Sequence, residues 1–249
     1  MTRIAVIVVA AGRGERFGGN ENKIFAQIDG QPMCLRALQL FANREDVCQT
    51  LLVVSPADME RMKTRYGPNL GFMGTKLVEG GEERWQSVAN GLAAVDDEAE
   101  FVAVHDAARV CLAEQWIDRI FETAVKQSSA VPVTQVDATL KKVGSDGTIS
   151  ETISRDGLYL AQTPQVFAKA VIQAAYDQLA RNNQNKADVP PTDDAQVVAA
   201  AGHPVATVVS DARNIKITTK GDLSLAAAIL KSLPQKPVSR RGAFEEAQW

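Results

Sequence analysis

Ile4-Ala5-Val6-Ile7-Val8-Val9-Ala10-Ala11-Gly12-Arg13-Gly14-Glu15-Arg16-Phe17 is the stretch whose reading decides the fold. Its first six residues form an apolar, mostly β-branched run, the mark of a strand buried on both faces. Small residues at Ala10, Ala11, Gly12 and Gly14 leave backbone N–H groups uncovered, so anionic oxygens can approach them. Parallel-sheet enzymes bind ligands beyond the carboxyl ends of their strands, where this loop lies. Arg16 and Lys23 follow, both placed to reach a polyphosphate held by the loop. Two familiar phosphate loops do not fit. No GxxxxGK[ST] string is present. Gly12 and Gly14 are followed by Phe17, with Gly18 one position late for a dinucleotide fingerprint, and Val54 runs into Ser55-Pro56 without the acidic residue such a site needs.

Strand-like and helix-like segments alternate outward from this loop. Pro32–Phe41 predicts a helix, with proline in its first turn and Leu35, Leu38 and Phe41 at helical spacing. Thr50–Val54 predicts a strand, and Ser55-Pro56 an N-cap opening a helix to about Tyr66. Lys76–Val78, Phe101–Val104 and Ala130–Val133 read as strands, Glu83–Val95 and Ala113–Lys126 as helices. This rhythm predicts an α/β fold, a doubly wound, mainly parallel and Rossmann-like sheet covered by helices on both faces. It breaks at Thr139–Val143 and Thr148–Ile153, which alternate apolar and polar residues around Gly144-Ser145-Asp146-Gly147. That pattern predicts a β-hairpin arm, about 137–155, protruding from the domain. Ala168–Arg181, Asp193–Ala201 and Gly221–Lys231 then read as helices, Val205–Val209 and Ile215–Thr218 as strands. One domain is expected over 1–233, with a flexible tail over 234–249.

The chain has 249 residues, 45% of them hydrophobic and 23% charged, the balance of a folded globular protein. Lys and Arg number 27 against 30 Asp and Glu, so no general basic field exists to bind nucleic acid or an anionic membrane. Phosphates must be handled by a local cluster of cations. No run of about 18 apolar residues predicts a membrane span, and no charged leader with a cleavage site precedes Ile4. Cys34, Cys48 and Cys111 are scattered without CxxC spacing and only two histidines occur, which argues against a disulfide framework or a zinc site and for a reducing, cytoplasmic compartment.

The loop AAGxGxRF with a lysine seven positions after its arginine resembles that of the sugar-phosphate nucleotidyltransferases. Within them the chain resembles the cytidylyltransferases acting on methylerythritol 4-phosphate. The further matching pieces are Gly80-Gly81-Glu82-Glu83-Arg84 with Ser87, Val104-His105-Asp106-Ala107-Ala108-Arg109, and Thr139-Leu140-Lys141. They continue with Arg155-Asp156-Gly157-Leu158, Thr163-Pro164-Gln165, Thr192-Asp193-Asp194-Ala195 and Asn214-Ile215-Lys216-Ile217-Thr218. Two positions depart from the family pattern: Asn22 and Val110 stand where proline is usual. Nothing after residue 230 matches the cyclodiphosphate synthase domain to which some members are fused, so a single activity is expected.

The resemblance implies transfer of a cytidylyl group from CTP to 2-C-methyl-D-erythritol 4-phosphate in non-mevalonate isoprenoid biosynthesis, with release of pyrophosphate. It implies that Arg16 and Lys23 stabilise the transition state and that Arg155 and Lys216 grip the acceptor phosphate. Ala10, Ala11, Gly12, Gly14, Gly80, Gly81, Glu82 and Ser87 would bind CTP, and Asp106, Arg109 and Thr139 the acceptor. Asp106 is also the candidate ligand for Mg2+ or another divalent cation. His105 is expected to be structural. The family's arm crosses to a second subunit, so a homodimer is expected, with no nucleic-acid or membrane partner. Two other readings stay open: another polyol phosphate as acceptor, such as ribitol 5-phosphate, and a nucleotide-binding regulator without turnover.

Overall fold

A computed structural model describes residues 2–12, 14, 17–18, 22–183 and 190–234. Arg16 and nearly all of the expected tail lie outside these residues. The chain begins with β1 (Ile4–Val9), a 3-10 turn (Lys23–Phe25), the short strands β2 (Gln27–Ile28) and β3 (Gln31–Pro32), and α1 (Met33–Gln39). Then come β4 (Val47–Val54), α2 (Pro56–Phe72), β5 (Thr75–Glu79), α3 (Arg84–Ala93), β6 (Phe101–Asp106), α4 (Glu114–Gln127) and β7 (Ser129–Gln135). The hairpin of β8 (Leu140–Val143) and β9 (Ile149–Ile153) leads to β10 (Tyr159–Ala161) and β11 (Gln165–Ala168). α5 (Lys169–Asn183), α6 (Asp194–Ala200), β12 (Thr207–Val209) and α7 (Gly221–Ser232) complete it.

The main sheet has the order β10-β7-β11-β6-β1-β4-β5, with β12 also on β7. β5, β4, β1 and β6 are parallel neighbours, as the alternating pattern predicts. β1 lies between β4 and β6, which is why its whole run is apolar. Val6 and Val8 face one core with Leu38, Phe41 and Ile117. Ala5 and Ile7 face the other with Leu51, Val88 and Leu92. α2 continues past the expected end near Tyr66, because Met62, Tyr66 and Leu70 form one buried stripe that carries the helix through Gly67-Pro68. Ser55 precedes α2 but makes no side-chain cap; its hydroxyl donates to the Asp58 carboxylate instead. No helix among the described residues is long and apolar enough to cross a membrane.

Two sequence expectations need correction. Ile215–Thr218 forms no strand: Ile217 is buried, and its N–H donates to the Ala108 carbonyl at 2.9 Å. Apolar alternation there reflects packing beneath a loop rather than a ladder. Conversely, the sequence pattern signals neither β10 nor β11. Each is only three or four residues long, and Thr163-Pro164 separates them. β11 nevertheless fills the centre of the sheet, antiparallel to both β6 and β7. The hairpin does form, closed by Gly144 N–H to Thr148 O at 2.9 Å and Thr148 N–H to the Asp146 carboxylate at 3.0 Å.

Because Phe167 on β11 is fully buried, Phe167→Ala should destabilise the protein by about 3–5 kcal/mol. Denaturant unfolding reads this directly; an unchanged midpoint would show that the segment is not a central strand.

Candidate functional site

The carboxyl ends of three parallel strands set the site. Val9 pairs with Val53 on one side and Asp106 on the other. The chain leaving each strand is then sewn to its neighbour: Ala10 N–H to Val53 O at 2.7 Å, Gly80 N–H to Val54 O at 2.8 Å, and Ala107 N–H to Val9 O at 3.0 Å. Between these exits lies a cleft of about 150 Å³, bounded by Val9–Gly12, Lys23–Ile24, Gly81–Arg84 with Ser87, Asp106–Ala108, and Lys216. Gly80 is needed for this closeness, since a Cβ there would stand 2.5 Å from the Ala11 Cβ. Of the residues expected from the sequence, the cleft thus gathers Ala10, Ala11, Gly12, Lys23, Gly81, Glu82, Ser87, Asp106 and Lys216.

Asp106 is buried and surrounded by cations. Its Oδ2 accepts from Lys216 Nζ at 2.6 Å and its Oδ1 from Arg84 Nε at 3.5 Å. Burial opposes its charged form, but Arg84, then Lys216 and Arg109, outweigh burial and hold the carboxyl well below the usual range. Arg84 has a second partner that the sequence did not reveal. Its Nη1 and Nη2 donate at 3.0 and 2.8 Å to the fully buried Asp194, which also accepts from the Tyr176 hydroxyl at 2.6 Å. Burial works against the Arg84 cation, but Asp194 and Asp106 fix its charge and raise its pKa. Arg84 and Asp194 occur in the strings quoted above, without a role; the signal was present, but nothing in one dimension pairs residues 84 and 194.

The other expected residues divide. The Lys23 stem passes over Gly14, which has φ +64°, and Lys23 Nζ donates to Ile217 O at 3.1 Å, bringing it beside Lys216. The Ser87 hydroxyl accepts from Gly81 N–H at 3.1 Å and faces Glu83 O at 3.2 Å, so it shapes the 80–83 loop. Arg109 is held by the carbonyls of Asn214 and Ala161 at 2.7 and 3.3 Å. Thr139 and Arg155 are exposed at the root of the arm and do not line the cleft; Arg155 donates to the Asp137 carbonyl.

His105 is fully buried behind Asp106. Its Nε2 lies 2.8 Å from the Arg109 carbonyl, which can only accept, so Nε2 carries the proton. Nδ1 then accepts from the Thr163 hydroxyl at 3.1 Å, and Thr163 Oγ1 accepts the Asp106 N–H at 3.1 Å. Burial drives the His105 pKa down to about 4 against the opposing pull of the Arg109 carbonyl. A neutral histidine with both nitrogens engaged is a peg, not a proton shuttle, and Thr163 is a further residue the sequence left unassigned.

Parallel strand ends that meet two converging lysines and a carboxylate define a nucleotidyltransferase-like α/β protein. Comparison with known proteins gives the particular family. A profile of 2-C-methyl-D-erythritol 4-phosphate cytidylyltransferase matches residues 4–232. The enzyme of that name from Rhodopirellula baltica is 40% identical over 238 residues, covering 91% of this chain and 94% of its own. The crystal structure of the enzyme from Thermus thermophilus superposes with a TM-score of 0.75 at 31% identity, covering 93% of this chain and 100% of that one. The bifunctional protein of Campylobacter jejuni superposes with a TM-score of 0.73 at 26% identity, covering 90% of this chain but 54% of its own. The chain belongs to the 2-C-methyl-D-erythritol 4-phosphate cytidylyltransferase family.

The site's buried charges make two outcomes measurable. The unfolded chain protonates His105 near the ordinary histidine value of 6.5, the folded one only near 4. Stability is therefore full above pH 6.5 and falls as pH drops towards 4, by about 3 kcal/mol. Unfolding titrations at pH 7 and 4.5 should show this slope and its loss in His105→Asn. Asp194→Ala should cost about 3–5 kcal/mol, because it strands the Arg84 guanidinium beside the Tyr176 hydroxyl; denaturant midpoints measure it.

Proposed function

We infer that this chain transfers a cytidylyl group from CTP to 2-C-methyl-D-erythritol 4-phosphate, releasing pyrophosphate, in the non-mevalonate supply of isoprenoid precursors. Family membership supports the reaction. The observation that carries the site reading is the meeting of Lys23 and Lys216 at one cleft, through the hydrogen bond from Lys23 to Ile217, 194 positions away in sequence.

An oxygen of the acceptor phosphate forms a bond to the α-phosphorus of CTP. The bond from that phosphorus to the oxygen bridging to the β-phosphate breaks, and pyrophosphate leaves with the electron pair. The nucleophile is already anionic, so no general base is required, which agrees with a neutral, fully engaged His105. The protein supplies alignment and positive charge. We assign the triphosphate to the amides of Ala11, Gly12 and Glu82, and the charge developing at phosphorus to Lys23 together with Arg16. Lys216 turns from Asp106 to the acceptor phosphate, and the freed carboxylate takes acceptor hydroxyls.

The family's divalent cation is tested by the donors present. No group of three His, Cys, Asp or Glu side chains gathers among the described residues. Asp106, with both oxygens already facing cations, is the one expected ligand. That set fits a magnesium ion carried mainly on triphosphate oxygens and waters, with Asp106 as its single protein ligand. When bound, the ion shields triphosphate charge.

We further propose a homodimer in which each arm completes the partner's site, since Thr139 and Arg155 sit away from the cleft of their own chain. Val143, Ile149, Leu158, Tyr159 and Leu160 are 41–63% exposed on the arm and the strand after it, an apolar surface for a second copy. A cytoplasmic location agrees with three free cysteines, and one catalytic domain over 1–233 agrees with the family match ending at residue 232.

Pyrophosphate release from CTP with a panel of polyol phosphates tests the reaction; release only with ribitol 5-phosphate would reassign the acceptor. Lys23→Ala and Arg155→Ala should each be nearly inactive. Mixed and allowed to exchange, they should recover about a quarter of wild-type activity, because half the dimers carry one intact site. No recovery despite exchange would overturn assembly of the site in trans.

A further inference from the structure

We propose that Asn22 is a positioning residue for Lys23, acting through a hydrogen bond to Asp58 that ties the end of the nucleotide loop to the first turn of α2. The proposal rests on the role given to Lys23 above.

Both ends of the Asn22 amide are used. Nδ2 donates to Asp58 Oδ2 at 2.8 Å, and Oδ1 accepts from the Ile24 N–H at 3.3 Å. A carboxylate only accepts, so the amide nitrogen must face Asp58, and the oxygen is left for the backbone. Ser55 Oγ donates to the same Asp58 oxygen at 2.6 Å, fixing the carboxylate from the other side. The 3-10 turn that begins at Lys23 closes with Phe25 N–H to Asn22 O at 3.1 Å and Ala26 N–H to Lys23 O at 2.9 Å. Its far end is held to α2 by apolar contact: the Phe25 ring stacks on Tyr66 at 5.9 Å, and the Arg61 guanidinium lies 4.0 Å from the Phe25 ring centre. Lys23 therefore stands between two anchors on one helix, an aromatic one after it and the Asn22–Asp58 bond before it.

The backbone shows what the side chain replaces. Asn22 has φ −62° and ψ 132°. That φ is the value a pyrrolidine ring imposes. Asn22 reaches the same conformation by hydrogen bonds to both its own turn and a neighbouring helix. A cap that merely stabilised the turn would need only the oxygen; the nitrogen's reach to Asp58 sets the turn's position relative to α2, and with it the origin of the Lys23 side chain.

Steady-state kinetics with CTP and methylerythritol phosphate, together with hydrogen exchange at the Ile24–Ala26 amides, test the proposal. Asn22→Ala should lower kcat about tenfold with KM for the acceptor unchanged, and speed exchange at those amides. Asn22→Pro, which fixes φ but offers Asp58 no donor, should stay as slow as Asn22→Ala. Asp58→Ala should also lower kcat, and the double variant should lose less than the two single losses combined, since both remove the Asn22–Asp58 bond. Wild-type kcat in Asn22→Ala, additive losses in the double variant, or rescue of kcat by Asn22→Pro would each overturn it. A wild-type protein that releases no pyrophosphate would instead defeat the reaction assigned above. The exchange measurement then still decides whether Asn22 and Asp58 hold the turn.

Discussion

The Asp106 carboxylate, at the carboxyl end of β6, is what allows Arg84 and Lys216 to be crowded around one cleft, with Arg109 near enough to act on its charge. Without ligand, cations so close would repel one another and drag their solvent shells into the site. A carboxylate between them fixes Arg84 and Lys216 in place, and the cations around it hold its carboxyl well below the usual range. An incoming phosphate can then exchange for it on Lys216 without the lysine having to be found and ordered anew. This is electrostatic preorganisation obtained by pairing, and it needs a second carboxylate behind the first. Asp194, anchored by Tyr176, grips the far side of Arg84 so that Arg84 can serve Asp106 without itself being free to swing.

The parallel sheet supplies the other half of the constraint. β1, β4, β5 and β6 end at the same level, so the loops leaving them meet, and the exits of β1, β5 and β6 are bonded to the neighbouring strand. The amide-lined loop after β1, the 80–83 loop and the Asp106–Arg109 turn thus occupy positions set by sheet register rather than by their own composition. His105 and Thr163 extend that register control inward. The histidine ties Arg109 to β6, and the Thr163 hydroxyl ties the Asp106 backbone to the chain entering β11.

Much of this was legible from residue order. The unbroken apolar run at 4–9, the helical spacing between strands and the turn-rich tetrapeptide of the arm each reflect a local rule, and each element formed. Ala10, Gly12 and Lys23 were legible because a glycine-rich strand end followed by a cation is a local signal, whereas Asp106 and Lys216 were singled out by the family resemblance. What stayed hidden depends on partners distant in sequence. β11 is too short for periodicity to register, yet it is central because β6 and β7 leave a gap between them. Ile215–Thr218 has the alternation of a strand but no neighbour to pair with. Arg84 and Asp194 are ordinary charged residues taken singly; their meaning lies in a contact across 110 positions.

The arm shows how such a division of labour serves the chemistry. A lone two-stranded hairpin has too little buried surface to hold itself, and β8 and β9 carry Val143, Ile149 and Ile153 in the open. Its turn is therefore closed by the Asp146–Thr148 bonds, while its faces are left to a second copy in the proposed dimer. Residues borne at the root of such an arm, Thr139 and Arg155, would reach a substrate only on assembly. Acceptor binding would then depend on dimer formation, whereas CTP binding in the proposed cleft, lined by residues of one chain, would not. A monomer on this account would still bind CTP, but it could not bring the acceptor phosphate into line.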